Sequence, residues 1–181
     1  FRRGFDARSR PSLRWTGEQT MADNRQLIVA QLASVLADER PTHKVAAMFV
    51  DSAFGAVIVS QLQALGYRQV HEVNFGGPAL DVHDANMRAY MWRQVKEWLP
   101  HAALDPKDQR LLDDLEAPGY HLNPKQQLVL EAKEHMQARG VASPDDGDSL
   151  ALTFAAPVAV KRPGATPPPR AVQGATAWMG G

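Results

Sequence analysis

Cysteine is absent from this chain of 181 residues. The absence excludes disulfide bonds and thiolate metal sites, and it fits a reducing compartment. Long apolar runs are also lacking, since no stretch reaches the roughly 18 residues that a membrane-spanning helix needs. The N-terminal residues do not have the pattern of a signal peptide. The sequence therefore predicts a protein without a membrane segment, whose metal chemistry, if any, uses ligands other than thiolate.

Net charge is lacking too, because 20 Lys and Arg residues balance 20 Asp and Glu residues. A zero balance gives no whole-molecule attraction to nucleic acid, so any such surface must be local. The densest basic patch is a set of five arginines near the start of the chain: Arg2, Arg3, Arg8, Arg10 and Arg14. Arg2 and Arg3 are candidates for contact with a DNA backbone. The alternative is a solvated edge hairpin, since edge strands often carry charge against aggregation.

The composition does supply a core, because hydrophobic residues make up 44% of the chain. The length suits one domain plus a tail. We place the domain at 1–157 and a Pro-rich tail at 158–181, where apolar residues are few, and we predict that the tail is disordered.

The stretch around which the chain is organised is the apolar run 45–50 (VAAMFV), which ends in Asp51. The run predicts a buried strand, and in open α/β sheets ligands and metals lie at the C-terminal ends of strands. Positions 52–55 (SAFG) predict a small-residue turn before a helix at 55–65. Asp51 is thus a candidate ligand, although an Asp after a strand is often only a helix cap or turn former.

Hydrophobic periodicity and breakers predict the remaining elements. A strand at 70–75 should pair parallel to the strand at 45–50, with a right-handed crossover through the helix between them. Gly66 should stop that helix. The other predictions are strands at 1–8 and 11–16, a hairpin at 120–131, and helices at 20–39, 84–99, 106–115, 132–139 and 145–156.

An acidic cluster opens the last of these helices, at 144–148 (PDDGD). Asp145 and Asp148 are three positions apart and therefore share one helix face. Asp146 is turned about 100° away and is a poorer partner for the same ligand. Carboxylates of this kind suit Mg²⁺ or Mn²⁺. The alternative is that all three acids merely favour the positive end of the helix dipole.

Two further side chains admit a functional and a plain interpretation. Lys133 follows the predicted hairpin and either meets a DNA phosphate or is simply solvated. Trp92 lies on a helix with an apolar stripe that indicates core packing, the alternative being a surface for base stacking.

Taken together, several stretches resemble one protein family, the C-terminal nuclease domain of the large terminase subunit of tailed phages. The resemblance covers roughly 1–157, and the stretches occur in the family's order. They are RRGFDAR at 2–8, FVD at 49–51 with Gly55, VNFGG at 73–77, ANMRAYMW at 85–92, LEAKE at 130–134, RG at 139–140 and SPDDGDSLALTF at 143–154.

The resemblance implies an α/β, ribonuclease-H-like fold, a mixed sheet flanked by helices. It also implies two metal ions, Mg²⁺ or Mn²⁺, held by three acids. Asp51 and Asp148 match two of these acids and are the implied catalytic residues, with Asp145 as a helper. The first acid has no match, because the chain begins at the family's second strand. We therefore expect the first strand and an ATPase domain to lie upstream, and no G-x-x-x-x-G-K-[ST] loop occurs here. Where relatives carry more glycine, this chain has Ala53 and Phe54.

The implied function is metal-dependent cutting of concatemeric double-stranded viral DNA during genome packaging. The implied partners are DNA, the portal protein and the small terminase subunit, and the implied location is the host cytoplasm and, transiently, the procapsid portal. Two alternatives stay open. One is a non-catalytic docking or regulatory fragment of the same fold, and the other is a resolvase-like nuclease.

Overall fold

The structure of the protein is a computed structural model that describes residues 2–3, 6–7, 21–40 and 44–158. Several predictions lie outside this part of the chain. They concern the helix start at Thr20, the strand at 11–16, the arginines at positions 8, 10 and 14, and, apart from position 158, the tail.

The chain is of the mixed α/β class. In order, its elements are β1 (Arg2–Arg3), β2 (Asp6–Ala7), α1 (Met21–Leu36), β3 (Met48–Asp51), α2 (Ser52–Ala64), β4 (Val70–Val73), α3 (Met87–Trp98), α4 (Gln109–Glu116), β5 (Tyr120–Leu122), β6 (Leu128–Leu130), α5 (Lys133–Ala138) and α6 (Asp145–Leu152). A short 3₁₀ helix, Leu99–His101, extends α3.

The described strands form three separate pairs. β1–β2 and β5–β6 are antiparallel, whereas β3–β4 is parallel, with Met48 opposite Val70 and Asp51 opposite Val73. The predicted parallel pair and the predicted hairpin are therefore confirmed. The ribonuclease-H-like mixed sheet stays a prediction, because the described strands do not join into one sheet.

The β3–β4 pair separates two hydrophobic clusters. Alternate residues of a strand point to opposite faces. Met48 and Val50 accordingly pack against the cluster of α1 and α2, whose fully buried centre is Leu62. Phe49 packs on the other side, against the cluster that α3, α4 and α6 form. Helix α6 itself contacts β3.

Among the differences from the predicted boundaries, three have local physical reasons. The predicted single strand 1–8 is wrong, because Arg2–Arg3 and Asp6–Ala7 are two strands that pair antiparallel. The predicted turn at 52–55 is also wrong. Residues 52–55 instead form the first turn of α2, because the Asp51 carboxylate accepts a hydrogen bond from the Ala53 N–H and so caps the helix. Helix α6 ends at Leu152, because Thr153 and Ala155 continue in tighter three-residue turns.

Gly66 ends α2 as predicted. Its φ of 96° lies in the left-handed region that glycine adopts without steric cost. Within the described ranges, no helix is both long enough and apolar enough to cross a membrane.

Candidate functional site

Asp148 is the buried charge at the centre of the candidate site. It lies in the first turn of α6, where its N–H donates to the Pro144 carbonyl at 2.7 Å, and only 5% of the residue is exposed. The neighbouring Gly147 makes this burial possible. A Cβ at Gly147 would lie 2.7 Å from Trp92 Cη2, so only glycine lets α6 approach α3 this closely.

Two interior donors hold one oxygen of Asp148. Oδ1 accepts a hydrogen bond from Trp92 Nε1 at 2.8 Å and another from Arg88 Nε at 3.1 Å. Both donors project from α3, and the Arg88 and Asp148 side chains are 11% and 7% exposed. Hydrogen bonds to a charged acceptor contribute about 1.5–3 kcal/mol each, so the orientation of this carboxylate is firmly fixed.

The second oxygen of Asp148 faces Lys133, the first residue of α5. Lys133 Nζ lies 2.8 Å from Asp148 Oδ2 and 3.6 Å from Asp145 Oδ1. Oδ2 is nevertheless buried without an aligned hydrogen bond. Because an ammonium and a carboxylate at 2.8 Å attract each other whatever the angle, Lys133 is the ionic partner of Oδ2. Asp145 and Asp148 thus meet the same ammonium. They differ in exposure, since the Asp145 side chain is 76% exposed and the Asp148 side chain is 7% exposed.

Arg88 connects three elements of the site. Besides its bond to Asp148, its Nη1 donates to the Glu131 carbonyl at 2.9 Å, just before α5. Its Nη2 is buried without a hydrogen-bond partner among the described residues. Arg88 therefore ties α3 to α6 and to the chain leading into Lys133.

Asp51 lies on the same face of β3 as Phe49, which is the α6 side of the sheet. One of its oxygens, Oδ1, accepts the Ala53 N–H at 3.2 Å, which confirms the helix-cap interpretation. Its Oδ2 has no hydrogen bond or ion pair within the described ranges. Capping therefore leaves one carboxylate oxygen for another ligand.

The other predicted residues have distinct positions. Asp146 points away from Lys133, as its spacing predicts, with its carboxylate 3.5 Å from Arg110 Nε. Trp92 is buried in the core cluster, so of its two interpretations core packing is confirmed. Arg2 and Arg3 form strand β1.

Asp114 of α4 has a role that sequence reasoning missed. Its Oδ2 accepts the N–H groups of Asp146 (2.7 Å) and Gly147 (3.1 Å), and so it satisfies free donors at the start of α6. Burial raises the pKa of Asp114, and the two hydrogen bonds oppose that rise. Pro144, at the cap position of α6, makes no side-chain cap hydrogen bond. A proline at this position offers no side-chain acceptor, and that was the one sequence signal from which a distant cap could have been inferred.

The donor chemistry at Asp148 fits a divalent cation. Carboxylate oxygens suit Mg²⁺ and Mn²⁺, and the buried Oδ2 lacks an aligned hydrogen-bond donor. In the part of the chain that the structure describes, however, no three His, Asp or Glu side chains are grouped so that they could hold a metal ion. Asp51, Asp145 and Asp148 therefore do not form a ready three-ligand cluster.

Comparison with known proteins leaves the family of the chain open. A scan against protein-family models finds no match, and a search of curated proteins finds none either.

Proposed function

We propose that the chain is a metal-dependent DNA endonuclease domain with the ribonuclease-H-like architecture of terminase nucleases. One observation carries the proposal: Asp148 is a buried carboxylate whose Oδ1 is fixed by Arg88 and Trp92 and whose Oδ2 is left without an aligned donor. A rigid carboxylate with one oxygen outside any aligned hydrogen bond is suited to bind a cation. Its place at the start of a helix that contacts β3 agrees with the sequence resemblance.

In this proposal Asp51 and Asp148 are the catalytic acids that hold the metal, and Asp145 assists from the same helix face. Bound divalent ions would activate a water and relieve charge on the leaving oxygen of a phosphodiester. Arg88 and Trp92 keep Asp148 oriented. Arg2 and Arg3 would contact the backbone of double-stranded DNA, and Lys133 would do so on leaving Asp148.

The biological setting belongs to the same proposal. The substrate would be concatemeric viral DNA, cut in the host cytoplasm as a genome enters the procapsid. The portal protein and the small terminase subunit would be the partners. No contact in the described residues bears on these partners, so the resemblance alone supports them.

A second candidate is a non-catalytic docking or regulatory domain. The observation that favours it is charge compensation: Arg88 and Lys133 already neutralise Asp148 in the absence of metal. A purely structural carboxylate would have the same partners. The two candidates differ in whether Asp51, which takes no part in this network, is needed for activity.

The test is cleavage of plasmid DNA by the protein produced from its complete open reading frame, in Mg²⁺ and in Mn²⁺. We expect Asp51→Asn to abolish linearisation with little loss of folding, since the amide still caps α2. Asp38→Asn, which removes a carboxylate paired with Arg40 just after α1, is the control and should cut normally. Full cleavage by Asp51→Asn would refute the catalytic role, and no cleavage by the wild type in either metal would favour the docking domain.

A further inference from the structure

The Lys133 ammonium lies between two carboxylates that share a helix face. It is 2.8 Å from Asp148 Oδ2 and 3.6 Å from Asp145 Oδ1. Two carboxylates one helical turn apart repel each other, and a cation between them removes that repulsion. The ammonium therefore holds the position that a cation bridging Asp145 and Asp148 would take.

The partners of Asp148 differ in how easily they can leave. Arg88 and Trp92 are nearly buried and bind Oδ1 with aligned hydrogen bonds. The Lys133 side chain is 37% exposed, and its ammonium meets the buried Oδ2 without hydrogen-bond alignment. The flexible stem of Lys133 can swing the ammonium into solvent. Arg88 and Trp92 could not leave Asp148 without opening a gap in the buried interior. Lys133 is thus the exchangeable partner.

We infer that Lys133 is a built-in counter-ion that a divalent cation must displace in order to bind Asp148 and Asp145. The inference rests on the proposed function for the role of Asp148 as a metal ligand. It adds that the metal-free protein is already charge-balanced, so metal binding exchanges one cation for another. A positive side chain that stayed within a few ångströms would repel the incoming ion.

Two measurable consequences follow from this exchange. Removing the Lys133 charge should tighten divalent binding, because no internal cation competes for the site. It should also lower the stability of the metal-free protein, because Asp145 and Asp148 then repel each other without compensation. Added metal should restore that stability.

The experiment is calorimetric titration of the 181-residue chain with Mn²⁺, for the wild type, Lys133→Met and Lys133→Gln. We expect Lys133→Met and Lys133→Gln to bind Mn²⁺ with a Kd about tenfold lower than the wild type. Lys125→Met is the matched control. It removes an exposed lysine in the turn between β5 and β6 and should change the Kd by less than about twofold. Adding Asp148→Asn to either Lys133 variant should abolish the gain.

Thermal unfolding with and without Mn²⁺ gives an independent readout. We expect Mn²⁺ to raise the melting temperature of Lys133→Gln by more than that of the wild type. Equal Mn²⁺ affinity in wild type and both Lys133 variants, still lost on Asp148→Asn, would overturn the exchange but leave the metal site standing. Absence of Asp148-dependent binding in every variant would overturn both the exchange and the metal part of the proposed function.

Discussion

At the scale of single residues, Asp148 contributes more to folding than an ordinary surface acid. Its charge is buried, and it compensates Arg88, which is itself nearly buried. Breaking a buried ion pair by removing one partner costs about 3–5 kcal/mol, because the remaining charge is left without compensation. We therefore expect Asp148→Ala to lower the free energy of unfolding by about that amount, measured by urea denaturation at pH 7.

Asp145→Ala is the control for this prediction. Its side chain is 76% exposed and shares the same lysine, and exposed ion pairs contribute about 0–1 kcal/mol. A similar loss of stability in Asp145→Ala and Asp148→Ala would show that burial does not distinguish the two acids.

Gly147 is the second residue with a specific prediction. In an exposed helix, alanine would be more stable than glycine by about 1 kcal/mol. Here the new methyl group would press on Trp92, whose ring cannot swing away without losing its hydrogen bond to Asp148. Overpacking typically costs about 1–3 kcal/mol. We expect a net loss of stability in Gly147→Ala by urea denaturation, whereas Ser149→Ala in the same helix should stay within about 0.5 kcal/mol of wild type.

At the scale of secondary-structure elements, Glu131 anchors the end of β6 to the end of α5. Its carboxylate accepts hydrogen bonds from Arg139 Nε (2.9 Å), Arg139 Nη2 (2.7 Å) and the Gly119 N–H (2.9 Å). The hydrogen bonds from Arg139, and next the one from Gly119, lower the pKa of Glu131 from 4.5 to about 2. These bonds favour the charged form in the folded protein.

The direction of the pH dependence follows from that lowered pKa. A carboxyl with a lower pKa in the folded state stabilises the fold above its unfolded pKa, about 4.5, and loses this contribution as the pH falls through about 2. We expect the difference in urea midpoint between wild type and Glu131→Gln to be positive at pH 6 and to shrink towards zero at pH 2. A difference that does not change with pH would contradict the lowered pKa.

The sequence predicted most elements, because their patterns are local. Alternation and apolar runs identified β3, β4 and the hairpin at 120–131, and the parallel pairing followed from the crossover helix. One error arose where a single residue serves two elements, at Asp51, which ends β3 and caps α2. The sequence did name Asp51 as a helix cap, but helix periodicity started the helix at 55, three residues too late.

The candidate site was only partly predictable. Three-residue spacing correctly placed Asp145 and Asp148 on one face, where both now meet Lys133. The contacts that fix Asp148 join residues 56 and 60 positions apart. Such tertiary contacts have no period in the sequence, so neither Arg88 nor Trp92 was identified as a partner of Asp148.

At the scale of the whole molecule, the β3–β4 pair separates the two hydrophobic clusters. Asp51 and Asp148 lie on the same side of this pair. Phe49 marks the face of β3 that meets the cluster of α3 and α6, and Asp51 follows on that same face. The central question is whether Asp51 and Asp148 bind one divalent ion between them. A shared ion would unite the strand end and the helix start in one site.

Paramagnetic broadening by Mn²⁺ of the backbone amide signals of the 181-residue chain addresses this question directly. We expect the amides of 51–53 and 145–149 to broaden first and together as Mn²⁺ is added, because one ion lies near both. Asp51→Asn should weaken the broadening at both stretches, since the two acids hold the same ion. Selective broadening at 145–149 with 51–53 unaffected, or broadening at neither stretch, would contradict a shared metal site.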